Sequence, residues 1–368
     1  MGRYRGVYRD PSGATISKTF ARSGDAKKWL AKQVTRKAEG TYVDPRLGNI
    51  RLAQFWPEFL KASPNLRAST RNLYSGLYRN HLHAAFGHCR LADIRPLDVS
   101  TWIDEALKAG MGAATVGASY RLLRRMLNVA MRGEYIARNP AVGAKTPATG
   151  TEEMRFLDAG EVTRLAEAVP ERYAGLIYLL SYGGLRIGEA AALRLGHLDL
   201  LRGRVTVAEA LSEVNGRIDI GPTKTGAKRT VTLPPFLREM LARHIERFTG
   251  SDGFVFPSPE GGPLRPGNFR RRVFTPAVKA AGLAPLRVHD LRHTMAALLI
   301  AQGAHVKEIA DRLGHSSPMV TMTVYAHLLP SLEERLSDGL EATFLAARAE
   351  APSGEVVALS RSGEGGHR

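Results

Sequence analysis

Residues 180–193 read LSYGGLRIGEAAAL, and this stretch frames the C-terminal half of the chain. Gly183 and Gly184 end one helical pattern, and an alanine-rich pattern begins after Arg186. Glu189 stands three residues past Arg186, a spacing that brings the two side chains together on a helix. An arginine is therefore expected to be held at a helix entrance. Taken alone, the pair is served equally well by a plain surface ion pair.

Three later segments give that arginine a context. GPTKTGAKRTVTLP, residues 221–234, puts Lys224 where flanking strand patterns and the Thr225-Gly226 pair predict a hairpin tip. Gly221 and Gly226 have the separation of a phosphate-binding P-loop, but Ala227 stands where that loop needs its lysine, so an ATP site is rejected. HDLRH, residues 289–293, places His289, Arg292 and His293 on one side of a helix and turns Leu291 inward. It falls short of the zinc motif HExxH because Asp290 takes the place of the glutamate, and an arginine between the histidines disfavours a dication. In EIADRLGHSSPMVTMTVYAHL, residues 308–328, Gly314 ends one helix, His315 lies at the turn, and the next helix presents Tyr325 two turns on. As a set, Arg186, Lys224, His289, Arg292, His315 and Tyr325 suit a phosphodiester: cations and imidazoles for charge growing on its oxygens, and a hydroxyl for attack.

The composition points the same way. The 368 residues contain 52 Lys or Arg against 35 Asp or Glu, a formal charge of +17 that favours a polyanionic partner. Cys89 is the sole cysteine, which excludes an intrachain disulfide and a cysteine metal cluster. MGRYRGVYRDPSG at the start lacks the apolar core of a signal peptide, and no run approaches the length of a membrane span. A cytoplasmic protein with no membrane association and no cofactor is expected.

The chain reads as mainly α with small β-sheets, an α+β multidomain protein. Residues 1–45 form a basic strand-helix module, with ten Lys or Arg in the first 40 residues, strands at Tyr4–Arg9 and Ala14–Phe20 about an Asp10–Gly13 turn, and a helix from Gly24. TYVDPRLGN, residues 41–49, marks a boundary. Residues 50–140 are helical, with segments near 52–62, 69–84, 96–109 and 113–132, the last carrying Arg121, Arg124, Arg125 and Arg132 opposite an apolar face. A linker at Asn139–Gly150 precedes a third domain over 151–345. There, helices are expected at 158–169, 172–182, 235–248, 267–281, 289–302, 305–313 and 318–328, with strands at Arg204–Ala208, Ile218–Ile220 and Arg229–Leu233. A polar tail over 346–368 becomes rich in Gly and Ser from Ala351.

In order, spacing and local context the six residues resemble the tyrosine recombinase, or phage integrase, family. The resemblance implies an arm-DNA-binding module, a helical core-binding domain and a mixed α/β catalytic domain. It assigns Arg186 to the GLRxxE arginine, Lys224 to the hairpin lysine, His289 and Arg292 to the HxxR pair, His315 to the LGH histidine, and Tyr325 to the nucleophile. It implies a site-specific integrase of a mobile element that cleaves and rejoins double-stranded DNA through a 3′-phosphotyrosyl link. Arg186, Arg292 and His315 would hold the nonbridging oxygens, Lys224 would protonate the departing 5′-oxygen, and His289 would help accept the tyrosine proton. Four protomers on two synapsed duplexes, core and arm sites, and a directionality or DNA-bending factor follow from it. The alternatives are a chromosome-dimer-type resolvase and a topoisomerase-like nicking and resealing enzyme.

Overall fold

The computed structural model describes residues 3–9, 13, 15–38, 47–148, 154–224, 226–250, 252–315, 317–325, 328 and 331–350. Most of them are helical, with small sheets, as expected. The chain falls into two compact units, the first of Met1–Glu153 with the short segment Val214–Arg217 and the second of Met154–Glu213 and Ile218–Arg368. No described helix is long and apolar enough to cross a membrane.

The first unit opens with strands β1 (Tyr4–Arg9) and β2 (Thr15–Phe20), antiparallel with Tyr4 opposite Phe20 and Arg9 opposite Thr15. Asp10, Pro11 and Ser12 of the expected turn lie outside the described residues. Helix α1 (Ser23–Ala38) backs the hairpin through Trp29, whose ring centroid is 5.3 Å from that of Tyr8 and 5.6 Å from that of Phe20. One indole thus glues the helix to both strands. The boundary segment 41–46 is likewise outside the described residues.

Beyond it come α2 (Leu52–Lys61), α3 (Ala68–Leu77), α4 (His83–Phe86), α5 (Pro96–Lys108) and α6 (Ala113–Arg132), with a π turn over Tyr78–Leu82 joining α3 to α4. Each helix buries the stripe that its three-and-four spacing predicts. Leu52, Phe55 and Phe59 of α2 meet Val116, Leu123, Met126 and Leu127 of α6 in one core. Trp56 stacks flat on Tyr78 at 4.3 Å between centroids. Arg121, Arg124, Arg125 and Arg132 are left exposed, as the sequence predicts. The expected linker does not begin as a free spacer. Tyr120 donates its hydroxyl hydrogen to the Ala141 carbonyl at 2.7 Å and Asn139 donates to the Arg124 carbonyl at 2.9 Å, so its first residues belong to the core.

The second unit opens with α7 (Ala159–Ala168) and α8 (Glu171–Tyr178), a π turn over Leu179–Gly183, and α9 (Ile187–Ala191). Strands β3 (Leu198–Asp199) and β4 (Arg204–Val207) follow, then the hairpin of β5 (Glu209–Val214) and β6 (Arg217–Pro222). Its turn residues Asn215 and Gly216 both have positive φ, 51° and 74°, as a two-residue hairpin turn requires. Strand β5 was not expected, because EALSEV shows neither alternation nor β-branched enrichment.

Strand β7 (Arg229–Thr232) corrects the expected hairpin around Lys224. It pairs with β4 in a sheet of order β3-β4-β7, whereas β6 pairs with β5. The reason is burial: Val231 lies opposite Val205, and at 1% and 0% exposure both belong to the main core of this unit. Lys224 therefore sits on a connection between two sheets. Thr225, the other half of the expected tip, is outside the described residues.

Helices α10 (Pro235–Phe248), α11 (Pro266–Phe269), α12 (Thr275–Ala280), α13 (Val288–Ala301), α14 (Val306–Leu313) and α15 (Pro318–Tyr325) complete the core region, with a π turn between α11 and α12. Helix α16 (Ser331–Glu350) was not expected, and it extends past residue 345, where the polar tail was placed. Its side chains from 336 to 349 are all exposed, Leu336, Leu340 and Phe344 among them. Residues 351–368 lie outside the described residues.

The core of the first unit carries a direct prediction. Leu123→Ala removes a side chain with 0% exposure and is expected to cost about 2–5 kcal/mol. The protein's tryptophans are Trp29, Trp56 and Trp102, all in the first unit. The loss should therefore appear as an earlier midpoint of the tryptophan-fluorescence transition in urea.

Candidate active site

Arg186 is the residue at the N-terminal cap of α9, with extended backbone (φ −73°, ψ 148°). Glu189 in the first turn reaches back to accept its backbone N–H at 2.8 Å and its guanidinium at 2.9 Å. The carboxylate thus satisfies an N–H that the helix leaves open and interacts favourably with the positive end of the helix dipole. Its side chain is only 1% exposed, which makes a second cation necessary. Arg229, from β7, supplies it through a two-pronged contact, Nη1 to Oε1 at 3.0 Å and Nη2 to Oε2 at 2.6 Å. Burial works against the charged form of Glu189, but the hydrogen bonds and charges of Arg229 and Arg186 outweigh it and hold the carboxyl below the ordinary range.

Arg292 on α13 is 2% exposed and forms no ion pair with a carboxylate among the described residues. It donates instead to two main-chain carbonyls, those of Gly184 and Leu313. Burial, followed by the neighbouring Arg186, pushes its guanidinium down to about 9, which still leaves it cationic at neutral pH. Gly184 has φ 70°, a left-handed conformation that favours glycine, and a Cβ there would also displace the flexible end of Met295.

The Leu313 carbonyl belongs to the last turn of α14, whose final carbonyls lack helical partners. Gly314 closes this helix with φ 64°, its N–H bonded to the Asp311 carbonyl and that of His315 to the Ala310 carbonyl, both at 3.0 Å. The two remaining exposed carbonyls are taken by arginines, Leu313 by Arg292 and Arg312 by Arg229 Nε at 3.1 Å. Arg312 itself donates to the Tyr182 and Thr232 carbonyls at 3.1 and 2.9 Å. The turn that carries His315 is thereby tied to α13, to β7 and to the segment before Arg186.

His315 places Nδ1 2.8 Å from the Thr321 hydroxyl, which is buried on α15. Burial and then the charges of Arg292 and Arg186 push its imidazole down to about 4. His289, on α13, is likewise pushed down to about 4 by burial and by His293, Arg292 and Arg186, although its ring keeps an edge open to solvent. Both rings are neutral at pH 7. Tyr325, 1% exposed and packed against Phe156, is pushed up to about 12 by burial, partly opposed by Arg292. Its hydroxyl lies 2.7 Å from Nδ1 of His293.

Arg186, His289, Arg292, His315 and Tyr325 thus act on one another electrostatically as a single cluster. Lys224 is exposed and is not among the charges that dominate those groups. Sequence reasoning missed two members. Arg229 carries no local signal, since its carboxylate partner is 40 residues away. His293 was placed on the correct helical side, yet nothing in HDLRH says that it meets Tyr325.

Comparison with known proteins agrees with this fold. Residues 155–331 match the phage integrase family and residues 51–107 match its N-terminal SAM-like domain. The prophage phiRv2 integrase of Mycobacterium tuberculosis H37Rv is 30% identical over 332 residues, 86% of each chain. The integrase of Mycobacterium phage L5 is 28% identical over 341 residues, 87% of this chain and 90% of that one. Among solved structures, the Tn1549 transposon integrase has a TM-score of 0.69 at 20% identity, covering 75% of this chain and 95% of its own, and likewise shows the fold. The lambda integrase tetramer bound to a Holliday junction has a TM-score of 0.63, also at 20% identity, covering 86% and 91%. The chain belongs to the phage integrase family and is a tyrosine-type site-specific DNA recombinase.

Removing Arg229 tests the buried network. Arg229→Ala leaves the Glu189 carboxylate with Arg186 alone and is expected to cost about 3–5 kcal/mol. Because the folded carboxyl sits below its ordinary range, its stabilisation is fully present above that range and is lost as pH falls through the lowered folded value. Thermal unfolding followed by circular dichroism should show the gap between wild type and variant wide at pH 7 and narrowing on acidification.

Proposed function

We propose that Tyr325 is the nucleophile that becomes joined to a 3′-phosphate of DNA, with release of a 5′-hydroxyl. The observation that carries this reading is the charge imbalance beside the tyrosine. Arg186, Arg229 and Arg292 converge there with Glu189, while the other buried carboxylate nearby, Asp290, is paired with Arg287, so the cluster keeps a cationic surplus suited to a phosphate. Arg186, Arg292 and His315 hold the nonbridging oxygens. The neutral imidazole of His315 donates a stronger hydrogen bond as negative charge grows on the nonbridging oxygens. Lys224, exposed on its connection between sheets, protonates the leaving 5′-oxygen when that segment closes over bound DNA, and His289 assists removal of the tyrosine proton. The phosphotyrosyl link conserves the energy of the phosphodiester, so a partner strand's 5′-hydroxyl rejoins it without ATP or metal.

The partner is double-stranded DNA, gripped at core sites by residues 50–140 and 151–345 and at arm sites by the basic module over residues 1–45. The Tn1549 integrase is described with a circular intermediate DNA. By that likeness this enzyme integrates and excises a mobile element, working in the cytoplasm with a directionality or DNA-bending factor. Recombination uses four copies on two duplexes. The apolar residues of α16, Leu336, Leu340 and Phe344 at 65%, 73% and 62% exposure, fit a neighbouring copy. A chromosome-dimer-type resolvase or a topoisomerase-like enzyme would use the same cluster but would have less need of the basic module.

Footprinting on the DNA that flanks the gene identifies the site, and a nicked suicide duplex bearing it traps the covalent intermediate. Tyr325→Phe should form no adduct on a denaturing gel while binding the duplex as wild type does. Arg292→Lys should cleave about 100- to 1,000-fold more slowly, since a point charge cannot span two carbonyls and a phosphate. Leu340→Asp with Phe344→Asp should leave single-site binding intact and remove the tetrameric DNA complex in size-exclusion chromatography.

A further inference from the structure

His293 is the side chain in hydrogen-bond contact with the tyrosine oxygen, at 2.7 Å from its Nδ1. At neutral pH Tyr325 keeps its proton, because burial holds it near 12. Burial also holds His293 below the ordinary imidazole value, so the ring is neutral. The bond is therefore O–H donating to a bare Nδ1, which assigns the ring proton to Nε2. His289 meets His293 ring edge to ring face at 4.8 Å between centroids. Among the described residues the hydroxyl of Tyr325 is hydrogen-bonded to His293 and not to His289.

We infer that His293 is the general base of the cleavage step, a catalytic residue one position beyond the HxxR pair; this deepens the reading of Tyr325 as nucleophile and rests on it. As the Tyr325 oxygen bonds to phosphorus and the bond to the 5′-oxygen breaks, the phenol proton passes to Nδ1 of His293. The 5′-oxygen takes its proton from the Lys224 ammonium. In rejoining, the 5′-hydroxyl displaces the phenolate, His293 returns its proton to Tyr325, and Lys224 recovers its own. His293 faces His289, Asp290 and Arg292 on its own helix and Arg287 just before it, Tyr325 on α15, and His315 on the turn between α14 and α15. Asp290 favours the imidazolium, and Arg287 and Arg292 oppose it, which leaves a ring that gains a proton readily only as negative charge builds on the phosphate.

The test uses the full-length protein and the nicked suicide duplex. His293→Gln retains a hydrogen-bond acceptor and can position the phenol but cannot take its proton; His293→Ala can do neither. Both should cleave about 100- to 10,000-fold more slowly than wild type. Wild-type cleavage should rise with pH through a limb below the ordinary imidazole value and then level, whereas both variants should keep rising about tenfold per pH unit toward the tyrosine's own ionisation. A duplex with sulfur bridging at the 5′ position needs no proton on its leaving group. It should rescue Lys224→Ala and leave both His293 variants slow. Wild-type rate and pH limb in His293→Gln, or rescue of His293 variants by the sulfur substrate, would overturn the assignment. Should the alanine variant fail to fold by circular dichroism, the glutamine variant alone decides between base and positioner. Tyr325→Phe run alongside separates the two readings: an adduct there sinks the nucleophile itself, while a dead Tyr325→Phe beside unimpaired His293 variants sinks only the base.

Discussion

Three guanidiniums must share a small buried volume, and the organisation of the second unit follows from how their charge is managed. One carboxylate, Glu189, serves two of them, Arg186 and Arg229. The third, Arg292, is satisfied by main-chain carbonyls. Carbonyl dipoles stabilise a cation without neutralising it, so the cluster keeps more positive charge than it would with a second carboxylate. The same donors close the open end of α14, and that is why His315 occupies a defined place directly after a helix terminus. Charge management and turn geometry are one device here.

The hydroxyl and imidazoles show the other side of this environment. A buried site with surplus positive charge disfavours protonated imidazoles, and burial disfavours phenolate. Tyr325 is therefore protonated and His289, His293 and His315 are neutral at pH 7, which is the starting state that the proposed cleavage requires. Phosphate is the missing charge, and its negative oxygens reverse the balance that keeps the rings neutral. Lys224 stands on an exposed connection between two sheets, directly after Thr223, which is 1% exposed and whose hydroxyl donates to the Ala227 carbonyl at 2.9 Å.

Much of this was legible from local pattern. The helix stripes of the first unit, the glycine-terminated turns at Gly184 and Gly314, and the Arg186 to Glu189 pair depend on spacings of three and four residues, which sequence displays directly. Strand β5 was not legible because its side chains lack the period that marks a strand, and helix α16 because its described side chains, Leu336, Leu340 and Phe344 among them, are exposed and form no buried stripe. The hairpin expected at Lys224 failed for a different reason. Strand character was read correctly on both flanks, but partner choice was settled by Val205 and Val231 burying together.

The sequence by itself determined the helical class, the basic character and the family, because each rests on identity, order or short-range period. Tertiary structure alone decided which charges meet. Arg229 closes on Glu189 across 40 residues and His293 on Tyr325 across 32. Such contacts are set by how strand and helix pack on a common core, a long-range constraint that leaves no periodic trace in the chain.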